Sequence, residues 1–282
     1  MNTTAPRLSP RPMGAFLPVD AEGYLVNDCR ADHVPPALAA LVIEHYRQSF
    51  GAHLRSVYVR GSVARGTAVD GVSDLDTFAV VDDAASPSCP LLPPELLERL
   101  HAAAPGLADF EFHACRRSAV TGSYYSTWAF LVKTQSACLH GEDLGPALAP
   151  YRVGPELMAE ALYLRQRLAL YAQRLAAEQQ APPPQQIATC QWFMKALVRA
   201  AFDLTLDRAR RYTRDLYPCY ATFAELYPER GPDCWRALEW AISPTPDTEP
   251  QRQLAEDFGH WICDEADVVA RRNGIDPSRY VL

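Results

Sequence analysis

Asp74 and Asp76 flank a single leucine, and eleven residues separate Asp74 from a Gly61-Ser62 pair upstream. Ser56–Arg60 (SVYVR) alternates as a strand does, and Val63–Ala68 reads as a short helical stretch. The glycine lets backbone approach a ligand closely, the N–H groups of a helix start suit an anion, and Ser62 adds a hydroxyl donor. Asp74–Val81 (DLDTFAVV) reads as a second strand. Its period of two sends both carboxylates to one face and Leu75 into the core. Two such carboxylates repel unless a cation stands between them. Mg²⁺ is typically held by one or two carboxylates plus substrate phosphates. A phosphate cradle beside a divalent clamp is the equipment for in-line transfer to or from a nucleoside triphosphate.

The elements that would position these groups follow from periodicity. Residues 1–36 read as an extended, proline-rich arm, with an apolar patch at Phe16-Leu17-Pro18. Ala37–Phe50 has apolar residues at helical spacing and a glycine stop at Gly51. Pro94–Ala103 reads as a helix with proline near its start, and Leu107–Cys115 as a third strand. The order α, β, short α, β, α, β predicts a mixed-sheet α/β domain over 37–150. Beyond a join near 145–155 the pattern turns helical: 155–179 as one amphipathic helix ended by Pro182-Pro183-Pro184, then 187–211, 218–227, 232–242 and 250–273. The expected fold is α+β, a mixed-sheet domain followed by a helical bundle over 151–282, with a cleft between them.

Composition narrows the function. The 282 residues suggest two domains or one large one, enough to bury a core without disulfide or metal staples. Charged residues make up 22% and aromatics 10%, as in a globular protein. No run approaches the roughly 20 apolar residues of a membrane span, and the first ten residues lack a signal-peptide core. The expectation is a cytoplasmic chain with no membrane partner. Net charge is −7, and no basic patch announces a nucleic-acid partner; a small or cationic substrate is easier to accommodate. The eight cysteines have no CxxC spacing and read as buried thiols in a reducing compartment.

The pattern G-S-x11-D-x-D on strand–turn–helix–strand resembles the nucleotidyltransferase superfamily that includes DNA polymerase β. GSVARG followed by SDLD looks most like the small bacterial nucleotidyltransferases. The architecture is most similar to the aminoglycoside (streptomycin/spectinomycin-type) adenylyltransferases. The likeness is sharp over 56–81, looser over 105–145 and architectural over 155–230. It implies that Ser62 and Ser73 hold the triphosphate, that Asp74 and Asp76 bind Mg²⁺, and that a third carboxylate on the next strand is general base to the acceptor hydroxyl. Asp109 and Glu111 share one face there; Glu111, between Phe110 and Phe112, matches the family's apolar–acid–apolar pattern better. Burial against those aromatics would raise its pKa and a bound metal ion would oppose the rise.

Further cations are candidates for the phosphates. Lys195 and Arg199 lie four apart on one helix face, aimed at the β- and γ-phosphates unless Arg199 pairs with Asp203. Tyr212-Thr213-Arg214-Asp215 resembles the Ser-Lys-Asp stretch of the adenylyltransferases, with Arg214 in place of the lysine. Arg65 lines the nucleotide site or pairs with Asp70. Arg208, Arg210 and Arg211 read as a solvated face, Leu139–Leu144 as a capping loop, Tyr124, Tyr125 and Trp128 as core aromatics, and His113 as a structural histidine on Glu111's face. The resemblance implies transfer of a nucleoside monophosphate, AMP from Mg·ATP, to a hydroxyl of a small molecule, with an aminoglycoside among the acceptors. The alternatives are an enzyme that modifies proteins with AMP and a nucleotide-binding sensor without turnover.

Overall fold

The computed structural model describes residues 9–71, 73–122, 125–178 and 181–281. The fold is α+β, in two compact units: residues 20–151 with 279–282, and residues 1–19 with 152–278. The expected arm is therefore divided, its residues up to Val19 belonging with the helices and Asp20 onward with the sheet.

The sheet unit carries helix α1 (Pro36–Phe50), strand β1 (Leu54–Arg60), the five-residue helix α2 (Gly61–Arg65), strand β2 (Leu75–Val81), helix α3 (Pro94–Ala103) and strand β3 (Phe110–Arg116). Helix α4 (Arg117–Thr121), strand β4 (Tyr125–Ser126), helix α5 (Thr127–Thr134) and strand β5 (Ser136–Gly141) follow. The four-stranded sheet has the order β3-β2-β1-β5. β1 runs antiparallel to both β2 and β5, and β2 runs parallel to β3. Alternation along the strands divides the core in two. Val57, Val59, Leu75, Ala79, Phe110 and Phe112 pack with Leu38, Val42 and Tyr46 of α1 and Leu100 of α3. On the opposite face Tyr58, Phe78, Val80 and Cys115 pack with Val120 and Val132. The Tyr46 hydroxyl ties α1 to the sheet through Thr77 Oγ1, 3.0 Å away. β5 corrects the reading of Leu139–Leu144 as a loop: Leu139–Gly141 completes an edge strand, and the Glu142 carbonyl accepts a hydrogen bond from Ser56 Oγ.

The helical unit is built around α8 (Pro183–Asp203), buried along most of its length from Cys190 to Asp203. Packed on it are α6 (Ala159–Leu162), α7 (Leu164–Ala177), α10 (Leu216–Leu226) and α11 (Gly231–Ile242). A short α9 (Leu206–Ala209) follows α8, and α12 (Thr248–Leu254) and α13 (His260–Asn273) close the unit. Three expected spans change. The helix expected over 155–179 is a 3₁₀ turn, Pro155–Leu157, followed by α6 and α7; the Asp203 carboxylate takes the Glu160 and Ala161 N–H groups and so starts α6 late. The proline run opens α8, because Pro183 at the first helical position forfeits only an N–H with no intrahelical partner. The span 250–273 holds a π-helical insertion at 255–259. There Gly259 admits Leu168, whose Cδ2 would stand 2.8 Å from a Cβ. No helix among the described residues is long and apolar enough to cross a membrane. Strand β6 (Tyr280–Val281) pairs with β4 in the sheet unit.

Candidate functional site

Register brings the chemistry together. Arg60 is the antiparallel partner of Asp76, and Asp76 is the parallel partner of Glu111. The three therefore form one row across β1, β2 and β3, on the face that carries Tyr58, Phe78 and Val80 further along the strands. Next in register come Tyr58, Phe78 and His113. The Tyr58 and Phe78 rings stack at 5.1 Å, with Trp128 against Phe78 at 5.2 Å. The row of charges sits on a floor of packed aromatics at the end of the sheet where β1 stops and β2 begins.

Like charges directly opposite one another on a sheet repel, and Arg60 and His113 stand against the two carboxylates. Arg60 Nη2 is 2.6 Å from Asp76 Oδ1 and 3.7 Å from Glu111 Oε2. His113 Nε2 lies 3.4 Å from the same Glu111 oxygen, and His113 Nδ1 is 3.6 Å from Cys89 Sγ. Burial pushes the Asp76 carboxyl up; Arg60 opposes the rise, and the charges of Glu111 and Asp74 add to it. The His113 hydrogen bond holds the Glu111 carboxyl down, to about 2, against a burial penalty, and Arg60 acts in the same direction. The expectation that burial would raise Glu111 is thus corrected. Its side chain is 47% exposed, and its flanking aromatics point to the other face. Asp109 lies before the start of β3, and its carboxylate accepts the Phe110 N–H.

Gly61 is the tightest point of the site. Its φ is +78°, and a Cβ there would stand 2.5 Å from Asp76 Oδ2. Only glycine lets that oxygen pack so closely against the backbone without backbone strain. Ser62 is half-buried in α2. Ser73 Oγ accepts the Val69 N–H at 2.9 Å, which leaves its own proton to donate. Asp74 is half-buried just ahead of β2 and close enough to Asp76 to affect its ionisation. Arg65, at the end of α2, lies near the half-buried Cys29 thiol and opposes its rise to about 12, while the Asp70 carboxylate lies against Gly106. Carboxylate and hydroxyl oxygens are the donors a hard divalent cation takes. Among the described residues no three His, Cys, Asp or Glu side chains form a metal-holding group.

The remaining candidates lie in the helical unit. Arg199 Nε donates to the Arg214 carbonyl at 3.2 Å, and Arg214 Nη1 lies 3.0 Å from Glu160 Oε1. Arg167 pairs with the other Glu160 oxygen at 2.9 Å. Burial, with Arg214 nearby, lowers Arg199 to about 10. Burial would lower Arg214 too, but the Glu160 charge outweighs it and the pKa rises. Asp203 is buried and engaged by α6, and its carboxyl is pushed far up by burial and by Glu160. Its hydrogen bonds go to backbone, which answers the expectation of an Arg199–Asp203 pair differently. Lys195, one turn before Arg199, is half-buried. Arg208 stacks on Tyr227 and Arg211 on Phe16, so these two arginines are more engaged than a solvated face implies.

Arg60, Glu160 and the His113–Glu111 contact were not singled out from the sequence. Strand alternation places Arg60 with Tyr58, but its pairing with Asp76 is set by register, which one sequence does not display. Tyr125 and Trp128 pack in the interior, and Tyr124 lies outside the described residues. Cys89 is exposed, whereas Cys115, Cys190, Cys219, Cys234 and Cys263 are buried.

No protein-family model matches the chain, and no curated protein matches it. Among solved structures, the chain is similar to a crystal structure of spectinomycin adenyltransferase AAD(9) from Enterococcus faecialis with ATP and spectinomycin. The TM-score is 0.44 at 12% identity, over 82% of this chain and 98% of that one.

Proposed function

We propose that the protein is a Mg²⁺-dependent nucleotidyltransferase that moves AMP from ATP to a hydroxyl of a small molecule. The observation that carries this reading is the row Arg60–Asp76–Glu111 packed against Gly61. It pairs a half-exposed, ionised carboxylate with a neighbouring carboxyl held by Arg60. Asp74 and Asp76 would hold Mg²⁺, which when bound supplies charge neutralisation at the phosphate oxygens. Gly61, Ser62, Arg65 and Ser73 would line the phosphates: Ser62 and Ser73 as hydroxyl donors, Gly61 by admitting the backbone, Arg65 by charge. Glu111 is the proposed general base. The acceptor oxygen attacks the α-phosphorus as its proton passes to Glu111, the bond from that phosphorus to the bridging oxygen breaks, and pyrophosphate leaves. In the helical unit Lys195, Arg199 and Arg214 are the proposed phosphate-binding cations. A net charge of −7 suits a cationic acceptor such as an aminoglycoside.

The test is a mass-spectrometric acceptor screen with purified protein, ATP and Mg²⁺, against an aminoglycoside panel and against cell lysate. The Asp74→Asn protein serves as control. A small molecule heavier by one AMP, absent from the control, is the expected result. AMP found only on a lysate protein would replace this reading with a protein-modifying one. Mg·ATP binding without any product would leave a sensor. For the helical cations, Arg214→Ala should weaken ATP binding more than AMP binding in calorimetry; equal losses would remove Arg214 from the terminal phosphates.

A further inference from the structure

We propose that Arg60 is a built-in counter-ion that keeps the aspartates from holding a divalent cation on their own, so that the cation is taken up together with the nucleotide. The inference rests on the reading of Asp74 and Asp76 as cation ligands. Asp76 has two carboxylate oxygens with different surroundings. Oδ1 is taken by the Arg60 guanidinium at 2.6 Å, while Oδ2 lies against Gly61, where a Cβ would stand 2.5 Å from it. The guanidinium therefore does two things at once. It fixes the rotation of the carboxyl, with the other oxygen against Gly61, and it places a positive charge next to any cation that binds the aspartates. Antiparallel pairing of Arg60 with Asp76 holds it in that place, and its 3.7 Å approach to Glu111 keeps it over the row. With Asp74, Asp76 and Glu111 ionised, the cluster carries three negative charges, and Arg60 cancels one of them permanently. A triphosphate adds further negative charge to the same place, and with it the balance tips toward binding the cation.

The experiment measures Mn²⁺ bound to the protein without nucleotide, by loss of the free-ion electron paramagnetic resonance signal. Wild type should bind weakly, and Arg60→Gln should bind about tenfold more tightly, because a neighbouring positive charge has gone. Arg60→Lys, which keeps the charge, should stay near wild type. Arg55→Gln, on the same strand but paired with Asp82 at 2.6 Å, should also stay near wild type. Asp76→Asn should abolish the binding. Melting temperatures show that each variant is folded, and a merely structural role for Arg60 would not raise affinity. Unchanged or weaker Mn²⁺ binding in Arg60→Gln overturns the proposal while the cation reading stands. So does equal tightening in Arg55→Gln or in Arg60→Lys. Absence of saturable Mn²⁺ binding in wild type and in Arg60→Gln alike overturns both the proposal and the cation reading.

Discussion

Arginines answer acids in both units of the chain, yet the two clusters are built for different ends. In the helical unit Glu160 is enclosed by Arg214 and Arg167, and Asp203 Oδ2 accepts two N–H groups of α6. Both acids are engaged by the fold. In the sheet unit Arg60 takes one oxygen of Asp76, the other lies against Gly61, and Glu111 is half-exposed with its charge stabilised by His113. The same residue types thus separate by what their partners leave unused. A buried acid engaged by arginines and helix N–H groups holds helices together; a row with a half-exposed acid can meet a ligand. Depth accounts for the contrast. The Glu160 side chain is 13% exposed, whereas Asp76 and Glu111, at the end of their strands, are 22% and 47% exposed.

Substituting one glutamate from each cluster tests that division most sharply. Glu111→Gln keeps the size and removes the proton acceptor, so transfer should fall by about 10²–10⁴-fold with the melting temperature unchanged. Glu160→Gln should do the reverse. It leaves Arg214 and Arg167 without their counter-charge and should cost about 2–3 kcal/mol. That is below the loss for a fully enclosed pair, because the Arg214 side chain is 30% exposed. Denaturant titration and steady-state kinetics on both variants decide the matter. If Glu111→Gln unfolds the protein while retaining turnover per folded molecule, the sheet row is structural and the contrast fails.

Gly61→Ala comes next. A methyl group would overlap Asp76 Oδ2 at 2.5 Å and hold a non-glycine residue at φ +78°, a backbone cost of about 1–2 kcal/mol. Because β1 and β2 are interior strands of the sheet, the carboxylate should yield before the backbone does. The expected outcome is a modest loss of melting temperature together with loss of Mn²⁺ binding. Retained Mn²⁺ affinity would show that the Asp76 oxygen packed against Gly61 does not hold the cation.

What the sequence displayed and what it hid divide along physical lines. Asp74, Asp76, Gly61 and Ser62 were legible as candidates because their placement depends on local spacing and on period-two alternation, and β2 and α1 were legible from periodicity. The edge strand β5 was not, because Ser136–Gly141 is short, polar at its ends and closed by a glycine. The break before α6 was hidden because its cause, Asp203, lies more than forty residues downstream. Pro182–Pro184 was read as a stop, although proline is equally at home at a helix start. Arg60 was missed because its significance comes from the register of β1 on β2. His113 was seen on the correct face, but its 3.4 Å contact with Glu111 depends on side-chain reach that alternation alone does not supply.

That contact yields the smallest effect and the finest test of how the sheet row differs from the helical cluster. Glu111 accepts a proton only when ionised, and its carboxyl is held down to about 2 chiefly by the His113 hydrogen bond. A depressed pKa keeps the base ionised far into acid, so the acidic limb of the kcat/KM profile in the wild type should lie low. His113→Ala removes the bond, and the Glu111 pKa should move toward the ordinary carboxylate range, carrying that limb upward by about one pH unit or more. Activity then falls at pH 5 and changes little at pH 8, where the carboxylate is ionised in both proteins and slightly more basic in the variant. Arg60 remains beside Glu111 and limits the size of the move. A uniform loss across all pH values would mean that His113 only packs the strand end. A shifted limb with an unchanged plateau would mean that it sets the ionisation of the base.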